Sequence, residues 1–211
     1  MTTAVFDASC RDCPRLAEFL DEVGGRYPDY YCKPVPPFGD AQARLLIVGL
    51  APGLHGANRT GRAFTGDHAG ILLYEMLHRF GFSTRRESLA ADDELRLQGC
   101  RITNAVKCLP PENKPVGAEI NTCNSFLSSE LRTLRAGSVV MALGGIAHRA
   151  IIKALGLRQA DYKFAHAAVH DLGDVRMLDS YHCSRYNTNT GRLTNEMFEN
   201  VFATAREMLQ N

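Results

Sequence analysis

The sequence predicts an α/β fold, a three-layer α/β/α sandwich around a mostly parallel central sheet. Three observations carry this expectation. Short apolar runs of strand length, Leu45–Leu50 and Ser138–Leu143, alternate with stretches of helical periodicity. The segment Arg44–Leu50 is almost continuously apolar, as a strand buried on both faces would be. That strand breaks at Ala51-Pro52-Gly53 into a long polar loop before the next helical pattern. Strand, loop and helix in that order place the loop at the carboxyl edge of a parallel sheet, where such folds bind ligands.

Bulk properties narrow the class. The chain of 211 residues suits a single domain with one sizeable core, and an N-terminal arm to about residue 43. A formal net charge of +1 announces neither nucleic acid nor membrane, so a role on DNA would need a local basic surface. No apolar run approaches the roughly 18 residues of a membrane span. MTTAVFDASC lacks the regions of a signal peptide, and the expected location is the cytoplasm. Seven cysteines make an odd set for disulfides; in a reducing compartment, clustered cysteines bind metal or do chemistry.

Taken in order, Cys10-Arg11-Asp12-Cys13 is a C-x2-C knuckle, and a helix follows over Leu16–Val23. Arg26–Asp40, rich in Pro and Tyr, reads as an irregular arm, with Cys32 outside any ligand set. After the first strand, the loop to Gly70 carries Gly49, Gly53, Gly56, Gly61 and Gly66 with Arg59, Arg62, Phe64 and Asp67. Glycines admit close backbone approach, and loops of this length in compact domains are usually functional. A helix then runs to Phe80 and stops at Gly81; His78 is a surface or helix-end residue. Arg85–Leu97 reads as a solvated loop with a short helix.

Arg101–Cys108 is the second strand, with Asn104 offering the paired donor and acceptor that reading a base edge requires. A Pro-rich turn leads into a helix over Ala118–Leu134, with Cys123 early in it. Cys10, Cys13, Cys108 and Cys123 supply four thiolates, which suit Zn²⁺ or a [4Fe–4S] cluster; spacing leaves both open. Ser138–Leu143 is the third strand, and Gly144-Gly145 opens a helix over Ile146–Leu155 with a structural His148. Two more strands are expected at Lys163–Val169 and Val175–Ser180; His166 and His170 nearby receive no role. Ser180-Tyr181-His182 opens a polar loop with Arg185, Tyr186, Asn187, Asn189 and Arg192, a composition suited to phosphate and groove contacts. Thr194 caps the final helix, through Leu209.

Three segments, GLAPGLHGANRTGRAFTGD (49–67), TNAVKCLPP (103–111) and SYHCSRYNTNTGRLTNEMF (180–198), together with the four cysteines, resemble the family 5 (type B) uracil-DNA glycosylases, iron–sulfur members of the uracil-DNA glycosylase superfamily. The resemblance implies a uracil-DNA glycosylase-like sandwich and a monofunctional enzyme. Such an enzyme hydrolyses the N-glycosidic bond of uracil, and of deaminated bases such as hypoxanthine and xanthine, in double-stranded DNA. It favours a [4Fe–4S] cluster on the four cysteines, a nucleoid-associated cytoplasmic protein and a monomer. Implied roles are base stacking for Phe64, edge recognition for Asn104, anion stabilisation for His182, and water or cation positioning for Asp67. Gly49, Ala51 and Gly53 would hold the base; Arg59, Arg62, Arg185, Asn187, Asn189 and Arg192 would contact DNA. Leu50 and Ala51 are apolar where sister families carry a carboxylate or amide, which turns attention to Asp67, a residue equally suited to capping the next helix. Cys183 stands where relatives commonly have Pro. An iron–sulfur redox carrier and a non-catalytic damage binder remain the alternatives; a phosphate loop lacks its glycine–lysine signature.

Overall fold

A computed structural model describes residues 5–210. Its elements run α1 (Pro14–Arg26), β1 (Phe38–Gly39), β2 (Leu45–Gly49), α2 (Ala57–Thr60), α3 (His68–Arg79), β3 (Cys100–Asn104), α4 (Gly117–Arg132), β4 (Ser138–Leu143), α5 (Gly145–Ala154), β5 (Val169–Asp171), β6 (Val175–Ser180), α6 (Arg185–Asn189) and α7 (Asn195–Gln210). The sheet order is β1-β3-β2-β4-β6-β5. The inner four strands are parallel and the two short edge strands antiparallel, as the sequence leads one to expect of a mostly parallel sheet.

Alternation along the strands divides the core. Leu45, Ile47, Val139, Met141 and Leu178 face α3 and α7, where Leu73, Leu77, Phe198 and Phe202 complete one layer. Leu46, Val48, Val140, Ala142 and Met177 face α4 and α5, meeting Leu127, Leu131 and Ile151. Successive side chains point to opposite faces, so a strand covered by helices on both sides must be apolar throughout. A third cluster packs Leu16, Leu20 and Val23 of α1 against Val106, Cys108, Leu109 and Cys123. After β2 the chain moves to β3 on one side, then crosses to β4 on the other. This reversal opens a crevice between the carboxyl ends of β2 and β4.

Several boundaries differ from expectation. β3 ends at Asn104; Ala105–Cys108 leave the sheet and turn toward the cysteines. Of the expected Lys163–Val169 strand only Val169 is in β5, which runs on to Asp171 and pairs with β6. The loop after His182 contains the short helix α6, capped by the Ser184 hydroxyl accepting from the Asn187 amide. Thr194 caps α7, accepting from the Met197 amide at 3.1 Å.

The segment 85–97 forms no helix and is not simply a solvated face. Asp93 accepts from the amides of Leu89 and Leu95 and from Arg62 Nη1 at 2.5 Å. Burial pushes its carboxyl up, but Arg62 and those amides bring it down to about 2. Arg62 also donates to Ser88 Oγ and to the Ala91 carbonyl, and stacks over Phe38. Removing one partner of a buried ion pair leaves the other charge uncompensated. Arg62→Ala is therefore expected to cost about 3 kcal/mol in chemical denaturation at pH 7. Because the carboxyl is depressed, its contribution is present above the ordinary carboxylate range and is lost as pH falls toward about 2. Acid titration of wild type against Asp93→Asn checks the sign.

Candidate active site

At the crevice between β2 and β4 the structure opens a cavity of about 1290 Å³, larger than an ordinary small-molecule pocket. Its walls come from the loop after β2, the first turn of α3, Asn104 at the end of β3, Leu143–Ile146 at the start of α5, and His182 with Arg185. Nothing in the sequence singles out Leu143–Ile146 as functional. Their only signal was the Gly144-Gly145 pair, which admits a tight strand-to-helix turn: Gly144 has φ of +95° and faces His182.

Phe64 is 6 % exposed and sits in the left-handed region, with φ of +57°. A side chain there costs on the order of 1–3 kcal/mol and persists only where the surroundings over-determine it. Two glycines do so. A Cβ on Gly49 would meet Asn104 Oδ1 and the Phe64 ring, and one on Gly70 would collide with the Phe64 carbonyl. The Phe64 ring lies near-parallel to that of His182, with centroids 6.0 Å apart. Tyr74 donates to the Ala63 carbonyl at 2.8 Å and fixes the loop from behind.

Asn104 is 4 % exposed, and its Oδ1 has no hydrogen-bond partner. Buried polar atoms are rarely left unpaired without reason. His182 carries no ring hydrogen bond to any described residue, and burial pushes its pKa down to about 4. The imidazole is therefore neutral near pH 7, with one N–H to donate. Its backbone carbonyl accepts from Asn187 Nδ2 at 2.8 Å. His68 Nε2 meets Thr188 Oγ1 at 3.0 Å, joining α3 to α6.

Asp67 does two things at once. Its Oδ1 accepts from the Gly70 amide at 2.9 Å as the cap of α3. Its Oδ2 faces Gly53 and Gly56 across the cavity wall. Burial raises its pKa above the ordinary value, against the amides of Gly70 and Ala69. Cys183 is fully buried behind it, with Sγ directed at the Ala69 carbonyl, so it fills the junction between α3 and the His182 loop.

Of the expected site residues, Asp67, Asn104, His182, Phe64, Ala51 and Gly53 line one cavity, with Arg59 and Arg185 exposed at its rim. Asn189 is exposed at the end of α6 and Arg192 in the segment after it, over the Tyr181 ring. Three expectations need correction. Arg62 is buried and spent on Asp93, so it has no free guanidinium for phosphate. The Asn187 amide is committed to His182 and positions it instead of facing outward. Gly49 lies beneath Phe64 and Asn104 and makes room for them; it does not line the cavity.

The four cysteines converge. Cys10, Cys13, Cys108 and Cys123 surround one small cavity with Thr122 and Phe126. Burial raises all four thiols, Cys108 to about 12, and its three neighbours add to the rise there. Thr122 beside Cys13 and the Lys107 backbone beside Cys123 offset part of that rise, while the Thr122 hydroxyl donates to the Ala118 carbonyl at 3.0 Å. The set fits a thiolate-bound centre: four thiols share one small cavity, Cys108 and Cys123 buried and Cys10 and Cys13 half-buried, and a cationic centre would let them ionise together. Cys32 and Cys100 stand apart from it.

A family model described as the uracil DNA glycosylase superfamily matches residues 36–206. The chain is 48% identical over 206 residues to a type-5 uracil-DNA glycosylase of Thermus thermophilus, covering 95% of this chain and 94% of that protein. It is 44% identical to a type-5 uracil-DNA glycosylase of Pyrobaculum aerophilum, covering 93% and 88%. A type-5 uracil-DNA glycosylase of Mycobacterium leprae is 42% identical, covering 94% and 91%.

The crowding at Gly49 makes a measurable difference between two glycines of the same loop. Gly49→Ala is expected to lower stability by about 1–3 kcal/mol, the range for overpacking a filled core. At Gly53 the added carbon would meet only Asp67 Oδ2, at 3.3 Å, so Gly53→Ala should be milder. Equal midpoints in urea would contradict this account of the Phe64 floor.

Proposed function

The chain belongs to the uracil DNA glycosylase superfamily, and we propose how its cavity performs the chemistry. The activity is that of a uracil-DNA glycosylase, a hydrolase of N-glycosyl bonds acting on DNA in base repair. The proposed substrate is double-stranded DNA with a flipped-out uracil, other deaminated bases being admitted by the apolar Leu50 and Ala51 in so wide a cavity. We read the chain as one domain working as a cytoplasmic, nucleoid-associated monomer, with its first 43 or so residues tied to the core at the cysteines. No described helix is long and apolar enough to cross a membrane.

The observation that carries the mechanism is the buried, unpartnered Oδ1 of Asn104, in the cavity that the Phe64 ring and the neutral His182 also line. A uracil edge presents an imide N–H flanked by carbonyl oxygens. Asn104 Oδ1 would accept from the N–H while Nδ2 donates to one carbonyl, and Phe64 offers a π-face. As the C1′–N bond breaks, its electron pair passes to the base and charge grows on the other carbonyl oxygen. The His182 N–H stabilises that charge without giving up its proton, as suits a neutral imidazole. The first turns of α3 and α5 both open onto the cavity and place their positive dipole ends there. Asp67 Oδ2 is read as taking a proton from the water that adds to C1′, while Oδ1 keeps the helix cap. Arg59, Arg185, Asn189 and Arg192 would meet the phosphates around the opening.

Cys10, Cys13, Cys108 and Cys123 would hold a [4Fe–4S] cluster. The four surround one small cavity, and the chain's likeness to the type-5 enzymes favours the cluster over zinc. The cluster would join the N-terminal arm to the segment following Asn104.

Single-turnover excision on duplexes carrying uracil tests the assignment of Asp67. Asn caps a helix about as well as Asp, so Asp67→Asn keeps the cap and removes the base. Excision is expected to fall by about 100-fold or more in Asp67→Asn with an unchanged melting temperature. Loss in Asp67→Ala alone would leave it a cap. The wild-type rate should rise with pH through a value above the ordinary carboxylate range, because the ionised form is the base and burial raises its pKa. Iron analysis tests the thiols: each single Cys→Ser change is expected to lose iron, and full retention in all four would remove the ligand set.

A further inference from the structure

On the α5 face of the sheet, the parity of β6 that buries Val175 and Met177 also buries Asp179, which is fully inaccessible. His148 of α5 faces it, with Nδ1 at 2.8 Å from Oδ1 and 3.0 Å from Oδ2. His170 pairs with Met177 across the β5–β6 ladder and so points to the same face; its Nε2 lies 3.0 Å from Asp179 Oδ2. The three ligand atoms lie within 4.8 Å of one another.

Hydrogen-bond bookkeeping shows why these atoms call for a cation. His148 Nε2 stands 3.0 Å from the Tyr162 carbonyl, which only accepts, so Nε2 carries a hydrogen. A neutral His148 then turns the lone pair of Nδ1 toward a carboxylate that also only accepts. Either a second proton or a metal ion must lie between them. A proton on His148 would settle that contact, with neutral His170 donating its own Nε2–H to Oδ2; a metal ion would instead take all three atoms as ligands. Two imidazoles and a carboxylate are a zinc-type ligand set, and tetrahedral zinc needs ligand atoms about 3.3 Å apart, near the spacing present here. The Tyr162 carbonyl is the outer partner that metal-binding histidines usually have, fixing the tautomer. The His170 side chain is 13% exposed, which gives an ion a way in.

We propose that His148, His170 and Asp179 form a second metal site, separate from the cysteines, for zinc or a similar divalent ion. Water would complete a tetrahedron. The ion would pin α5 to the end of β6. Both elements line the substrate cavity, through Gly144–Ile146 and through His182, three residues after Asp179. Its effect on catalysis would be positional.

The test is elemental analysis of cluster-loaded protein, dialysed to remove loosely held metal and titrated with zinc, in wild type and His170→Ala. His170 is partly exposed, so this variant should fold; Asp179→Asn is the second. The expected result is one zinc per chain in wild type, at least 10-fold weaker binding in His170→Ala, and equal iron in both. The melting temperature should rise with zinc in wild type only. Zinc X-ray absorption should show nitrogen and oxygen neighbours. Sulfur neighbours, equal zinc in both proteins, or no zinc uptake by folded wild type would overturn the proposal and leave the trio as a protonated hydrogen-bond network.

Discussion

The close packing of the Phe64 ring over Gly49, with the Phe64 carbonyl against Gly70, is the contact on which the rest of the site depends. It holds a non-glycine residue at a φ that few side chains adopt, and so fixes the ring that floors the cavity. Gly49 ends β2 and Gly70 lies in the first turn of α3, so the strand and the helix both define one ring position. Asn104 comes to the same spot from β3 because Gly49 pairs with it in register. A parallel pair brings both strands to their carboxyl ends together, and the recognition amide and the stacking ring arrive at one point as a consequence.

Electrostatics follow from that enclosure. Burial holds His182 neutral and raises Asp67, two effects with one cause and opposite consequences for charge. The site thereby has a donor that need not lose its proton and a carboxylate made more basic. The surface near it is basic only locally: Arg59 and Arg185 stand at the opening while the whole chain carries +1. Weak global charge with a few cations around a deep cavity suits a protein whose specificity comes from the extruded base.

The sequence made the layers legible because helix-covered parallel strands must be apolar on both faces, and β2 and β4 announce themselves that way. It made the cavity residues legible because strand ends with Asn104, Asp67 and His182 break the apolar pattern. It did not reveal how polar side chains divide between solvent and core. Arg62 and Arg59 lie three residues apart in one loop, yet one is buried on Asp93 and the other is exposed. Partner choice at 31 residues' separation leaves no local signature. Asn187 differs from expectation for the same reason, its amide turning back to the His182 carbonyl. The His148–His170–Asp179 trio is assembled from α5, β5 and β6 and is invisible until their register is known.

The departure of Ala105–Cys108 from the sheet ties these parts together. Ala105 and Val106 still donate to the Gly49 and Leu50 carbonyls, so the chain stays attached to β2 while it turns toward the cysteines. The fully buried Lys107 anchors the turn on Glu130 at 2.7 Å and on Thr103, the neighbour of Asn104. An ammonium so deep needs that carboxylate, since losing either would strand the other's charge. The backbone of the same Lys107 lies beside Cys123 and lowers its thiol against burial, and the next residue, Cys108, is itself one of the four thiols. One residue thus touches both the strand that presents the recognition amide and the thiol site that holds the arm. Order at the cysteines and order at Asn104 are coupled through a segment of four residues with little freedom to move independently.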